Sequence, residues 1–265
     1  MLHLTTRAER NTIPSLISGN GVSGMDAAVR REDAVYLTCE KYRIFELLIF
    51  AAGMMGAYTF NLRGGVFCNA QTANVVLMAL ELGHFNWSGG LYYLIPISAY
   101  LLGAVISEVL PGGIRARRFL RWDTYLIAFE MAVLFLVGFI PLSAPVQIVQ
   151  VTINFLCSMQ YNTFRQAEGI PMATTFVTNH IRQTGIWLVK GVRKRDSGAL
   201  RRSARHLGMV AVFFLGGLLL TLVCPMLGAK SIWLTLAPLG VILIVLVRAD
   251  LVDERQMFDR KPRGH

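Results

Sequence analysis

The sequence predicts an all-α integral membrane protein: six spanning helices, two polar broken or re-entrant helical segments, and two inverted repeats. Three observations point there. Of 265 residues, 54% are hydrophobic and only 16% charged, where a soluble domain carries about 25% charged residues. Six apolar runs approach the roughly 20 residues a helix needs to cross a bilayer. And the order of features in the first half of the chain recurs in the second.

The runs are Ile44–Phe60, Leu91–Leu110, Thr124–Leu142, Pro145–Phe164, Leu207–Leu227 and Ile232–Val247. Gly53 and Gly56, with Ala52 and Ala57, read as close helix packing in the first of them. Two segments are harder to place. Val66–Leu82 is apolar only in its second half. Pro171–Val189, "PMATTFVTNHIRQTGIWLV", is too polar to face lipid along its length.

The net charge is +10, and its distribution sets an orientation. Arg115, Arg117, Arg118 and Arg121 follow the second run. Lys190, Arg193, Lys194, Arg195, Arg201, Arg202 and Arg205 precede the fifth, and Arg248, Arg255, Arg260, Lys261 and Arg263 follow the last. By the positive-inside rule all three groups are cytoplasmic. The connections 83–90 and 141–145 hold no Lys or Arg and belong outside. Re-entry of both ambiguous segments satisfies every group, with both termini cytoplasmic. In a second arrangement only the first segment spans, and the N-terminus lies outside. Anionic lipid head groups are the expected partners of the basic loops. Nucleic acid is not, because a nucleic-acid face would not alternate with spanning runs.

The organisation expected is a largely disordered cytoplasmic tail over 1–43, with a short amphipathic helix over Asp26–Arg43. A transmembrane domain follows over 44–248, with repeats 44–142 and 145–248, and then a cytoplasmic C-terminal tail over 249–265. Residues 1–43 lack the apolar stretch of a cleavable signal peptide.

The repeat is carried by "GAYTFNLRGG" (56–65) against "YNTFRQAEGI" (161–170). Each ends an apolar run with Thr-Phe and a polar turn. Gln71-Thr72-Ala73-Asn74 then corresponds to Val177-Thr178-Asn179-His180, and Leu102-Gly103-Ala104 to Leu215-Gly216-Gly217. The offset drifts from 104 (Thr59 to Thr163) to 114 (Pro111 to Pro225). Three spanning helices per repeat make the second inverted relative to the first, a plan common in transporters.

The candidate site follows from that plan. Asn69, Gln71, Thr72 and Asn74 would sit at one half-helix tip, and Thr174, Thr175, Thr178, Asn179 and His180 at the other. Helix N-termini offer free N–H groups and a positive dipole end. Amides and hydroxyls add neutral donors and acceptors. Two such tips suit a small polar or anionic solute. The plainer reading is hydrogen bonding between neighbouring helices. A transporter requires the tips to line a cavity, whereas a scaffold packs them dry. Gln147, Gln150, Asn154, Ser158 and Tyr161 form one polar stripe. Of these, Gln147, Gln150 and Asn154 are candidate pore-lining residues. Glu130 is the clearest intramembrane carboxylate and the candidate for proton or ion coupling. Its alternatives are a bond to a helix end or neutralisation by Arg182.

No enzyme signature appears: there is no G-x-S-x-G, H-E-x-x-H, Walker loop or G-x-G-x-x-G. No cofactor is expected. The cysteines (Cys39, Cys68, Cys157, Cys224) have no zinc-site spacing, and the scattered histidines form no metal cluster.

The stretch "AYTFNLRGGVFCNAQTANVVLMAL", with "ATTFVTNH" further on, resembles the YoaK family of bacterial multi-pass membrane proteins, over roughly residues 44–248. The resemblance implies a membrane location and this helix pattern, and supplies no substrate; the expected location is the bacterial inner membrane. Ala73 and Asn179 stand where the family usually has Gly. The functional expectation is a permease or channel-like transporter of a small polar or anionic solute, which could work as a homo-oligomer. The alternative is a non-transporting scaffold or signalling partner acting through the basic loops.

Overall fold

The computed structural model describes residues 36–115 and 119–262. The expected tail over residues 1–35, including most of the amphipathic helix, lies outside them. The described chain is helical apart from one two-residue hairpin. The helices are α1 (Tyr42–Leu62), α2 (Gln71–Gly83), α3 (Trp87–Tyr92), α4 (Leu94–Arg115), α5 (Trp122–Val137), α6 (Val146–Thr163), α7 (Thr178–Lys194), α8 (Ser197–Leu227) and α9 (Leu236–Arg248). Strands β1 (Gln166–Ala167) and β2 (Ile170–Pro171) pair antiparallel between α6 and α7.

Three stretches are long and apolar enough to cross a membrane by length and composition: Tyr42–Leu62, Trp87–Gly113 and Ser197–Asp253. The last, at 57 residues, contains two of the runs picked out from sequence. α5 is shorter, at 16 residues, and α6 carries the amide stripe. All six apolar runs fall on helices. Their outward faces are apolar: Leu101, Val109, Leu136, Phe214, Leu222 and Ile244 are each more than 60% exposed. A continuous apolar exterior of this kind is unusual for a water-facing monomer.

Local signals set the turns. α1 stops at Arg63 because Gly64 and Gly65 take φ of +88° and +71°, a region closed to most side chains. Arg195 takes φ +51° between α7 and α8. The Asp196 carboxylate then caps α8, accepting from the N–H groups of Gly198 (2.8 Å) and Ala199 (3.2 Å).

The helix directions follow from the contacts at their ends. At one end the Arg63 guanidinium, wholly buried, donates to the carbonyls of Ile140 (2.6 Å) and Pro141 (2.9 Å) just past α5. There Gln150 Nε2, early in α6, donates to the Arg63 carbonyl (2.6 Å), and Tyr58 donates to the carbonyl of Ala229 after α8 (3.2 Å). At the other end Tyr42 donates to the Arg205 carbonyl (2.8 Å), and Arg121 pairs with Glu254 (2.5 Å) and Asp250 (3.3 Å) beyond α9. Thus α1, α5 and α8 run one way. α6 and α9 run back, and so does α4: Tyr92 before it meets Gln150 (2.6 Å), and Glu108 near its end meets Arg165 (2.5 Å).

The two most extensive helix packings are both parallel, α1 on α8 and α4 on α6. They are built alike. A Cβ on Gly53 would meet the Phe213 carbonyl oxygen at 2.1 Å, and one on Gly216 would meet that of Phe50 at 2.1 Å. In the other pair a Cβ on Gly103 would meet the Phe155 carbonyl oxygen at 2.6 Å, and Ser158 Oγ donates to the Tyr100 carbonyl at 2.5 Å. Small residues let the backbones touch, as they do between membrane helices.

Parts of both expected tails are ordered and partly buried. Leu37, Thr38, Cys39 and Glu40, placed in the tail from sequence, are buried in a 3-10 turn rather than an amphipathic helix. Residues 249–262 fold back in short turns, with Asp250 and Glu254 buried against Arg121. Both segments are drawn in by buried carboxylates and not by apolar pattern.

Candidate functional site

α2 and α7 both begin inside the bundle, and neither begins with a capping side chain. The N-cap of α2 is Ala70 and that of α7 is Val177, with no side-chain cap bond at either. A cap normally satisfies one of the first N–H groups of a helix. α1, α5, α6 and α9 lack a side-chain cap as well, so what sets α2 and α7 apart is where they begin.

The two tips meet on one cavity of about 570 Å³. From the first tip it is lined by Asn69, Ala70, Gln71 and Thr72. From the second it is lined by Phe176, Thr178, Asn179 and Arg182, with Tyr100 of α4 and Tyr161 of α6 as walls. The Tyr161 and Phe176 rings lie 4.9 Å apart between centroids. No lining residue carries a carboxylate.

The polar residues divide by what they do. Gln71 is committed to structure: its Nε2 donates to Asn154 Oδ1, and its Oε1 accepts from Asn74 Nδ2 (3.0 Å). Asn154 Nδ2 donates to the Gln150 carbonyl (2.9 Å). With Gln150 bound to Tyr92 and Arg63, a line of amides ties the α2 tip to the middle of α6. Asn69 is only 5% exposed, rests against Gly56, and has no hydrogen-bonded partner among the described residues. Thr72 and Thr178 are exposed to the cavity. Arg182 donates to Asn179 Oδ1 (2.9 Å) and makes no ion pair among the described residues.

Not every residue named from sequence reaches the cavity. Asn74, Gln150 and Asn154 are buried and hydrogen-bonded beside it. Gln147 is exposed in the first turn of α6 and lines no described cavity, because the stripe turns outward before the helix begins to pack. Thr174 and Thr175 are fully buried, with hydroxyls that find no partner. Glu130 is 0% exposed, both its carboxylate oxygens lack a hydrogen-bond partner among the described residues, and Arg182 does not neutralise it.

His180 turns away from the cavity. Its Nε2 lies 2.7 Å from the Ala173 carbonyl, and its Nδ1 3.0 Å from Nδ1 of His206. His180 Nε2–H donates to that carbonyl, and the two Nδ1 atoms share one hydrogen between them. This pair is invisible in the sequence because His206 sits in the basic flank of α8. Tyr100, Phe176 and Arg182 were also not singled out as lining residues. Arg182 stands one helical turn after Thr178, a spacing that identifies it only once Thr178 is known to open a helix.

An all-helical bundle with an apolar exterior and long apolar helices is of the membrane-protein class. The chain belongs to the family described as "Protein of unknown function (DUF1275)", which matches residues 44–245. That membership is compatible with the YoaK resemblance of its motifs. Comparison with curated proteins gives no match, and neither does comparison with solved structures.

Proposed function

We propose that this protein is a permease or channel-like transporter of a small anionic or polar solute, bound where the tips of α2 and α7 converge. The observation that carries the reading is the shared cavity, reached by two uncapped helix N-termini from two separate parts of the chain. A scaffold would leave the two tips packed dry, with no shared hollow between them.

The architecture we propose is six spans in two inverted repeats, with α2 and α7 re-entrant. Several features support it. Antiparallel α1 and α4 need an odd number of reversals between them, which α2 supplies without crossing. At 13 residues, α2 is about 20 Å long, short of the roughly 30 Å hydrocarbon core. The paired crossings correspond under one exchange: Phe50 and Gly53 take the places of Phe155 and Ser158, and Tyr100 and Gly103 those of Phe213 and Gly216. Glu130 is the proposed carrier of a coupled proton or partner of a coupled cation. The basic residues around the α7–α8 turn face anionic head groups on the cytoplasmic side of a bacterial inner membrane.

The test is uptake into proteoliposomes by the double variant Thr72→Val, Thr178→Val. Both side chains are exposed in the cavity, so the fold is expected to survive and uptake to be lost. Wild-type uptake in that variant would sink the site.

A further inference from the structure

We infer that the ligand of this cavity is an organic carboxylate with a flat, apolar body, not an inorganic ion or a neutral polar solute. The inference rests on the proposed reading of the two tips as a binding site, and it adds the chemistry of what they hold.

Charge comes first. Among the described lining residues Arg182 alone is charged, and none is an acid. The N-termini of α2 and α7 add two positive dipole ends at the same place, with N–H groups that no cap satisfies. The guanidinium keeps most of its five donors, since among the described residues it bonds only Asn179. A planar guanidinium beside free N–H groups fits a planar two-oxygen anion.

Shape is the second point. A cavity of about 570 Å³ falls within the ~300–1,000 Å³ typical of clefts for small organic ligands. It is too large for a halide to fill. Tyr100, Tyr161 and Phe176 give it an aromatic side, and ring faces of this kind accept a flat apolar body by stacking. The third point is Asn69. Its amide is nearly buried, unpartnered among the described residues and part of the lining. With no protein partner to give up, that amide is free to bond a ligand oxygen. The carboxylate would lie against Arg182 and the helix ends, and the body against the aromatic side.

The experiment is equilibrium binding of radiolabelled benzoate to the full chain in nanodiscs, with benzamide, chloride and octanoate as competitors. Saturable benzoate binding is expected. Benzamide, which has the shape without the charge, should compete roughly ten- to hundredfold more weakly. Chloride should not compete at matched concentration. Arg182→Gln should weaken benzoate by a similar factor, and Phe176→Ala should weaken benzoate more than acetate. Arg182 is exposed, so the Arg182→Gln variant should keep the wild-type melting temperature, and that is measured alongside. Equal competition by benzamide would overturn the charge assignment. Absence of benzoate binding would overturn the ligand class. Octanoate binding more tightly than benzoate and indifferent to Phe176→Ala would overturn the flat body in favour of an acyl chain drawn from the membrane. Benzoate binding without uptake by proteoliposomes would leave this inference standing and remove transport. Uptake of a solute with which benzoate does not compete would do the reverse.

Discussion

Replacing Gly53 or Gly216 by alanine should loosen the bundle at the point where α1 and α8 touch. A Cβ on either would lie 2.1 Å from a backbone carbonyl oxygen of the facing helix. Ordinary carbon–oxygen contacts are about 3.3 Å or more, so the helices must part by roughly 1 Å. The obstacle is backbone and cannot swing aside as a side chain can. Forcing an extra methyl into a closed contact costs about 1–3 kcal/mol, while Gly→Ala inside a helix returns up to about 1 kcal/mol. With the full return the balance is a loss of up to about 2 kcal/mol for each variant. Because the first alanine opens the gap for the second, the double variant should lose less than the sum. Gly185 in α7 has nothing within 4 Å of its Cβ position, so Gly185→Ala should stabilise by a few tenths to about 1 kcal/mol. Thermal unfolding of the purified protein in one detergent compares all four. A Gly53→Ala variant as stable as Gly185→Ala, or additive losses in the double variant, would refute the close crossing.

Arg121→Ala should destabilise by about 3–5 kcal/mol, the cost of leaving a buried counter-charge unpaired, since it strands Asp250 and Glu254. Thermal unfolding shows the loss, and proteolysis should cut first near the C-terminus. Burial, with the Asp123 carboxylate beside it, pushes the Cys39 thiol well above its usual pKa. Cys39 should therefore resist maleimide at pH 7.5 in the folded protein and label only after denaturation, read by mass shift. Arg63→Lys should not restore the stability lost in Arg63→Ala. One ammonium cannot reach the Tyr58 hydroxyl and both the Ile140 and Pro141 carbonyls together.

The helices were legible because apolar runs of this length have few other solutions. The polar tips were legible because "NAQTAN" and "VTNH" interrupt such runs, and interruption marks backbone that needs protein or water around it. What each tip residue does was not legible. Gln71 and Asn74 look like ligands in the sequence and serve as braces, because the amide of Asn154 stands opposite them. Gln147 shares the spacing of Gln150 and Asn154, yet it lies beyond the packed part of α6. The buried turn at 37–40 and the turns at 249–257, which bury Ala249, Asp250 and Glu254, carry no periodic signal. Their place is set by Glu254 bonding Thr38 and Arg121 across the bundle. The His180–His206 contact depends on the tight turn at Arg195, whose left-handed conformation no glycine announces.

Inversion of the two repeats is tested most directly by which side of the membrane each connection faces. Single cysteines at Ser88→Cys and Ser197→Cys, both exposed, are placed in a background lacking the four native cysteines. Intact cells are labelled with an impermeant maleimide, with lysed cells as the control. Labelling at 88 and protection at 197 is the result that opposed re-entrant tips require. Labelling of both from outside, or protection of both, would place the two connections on one side and end the inverted architecture.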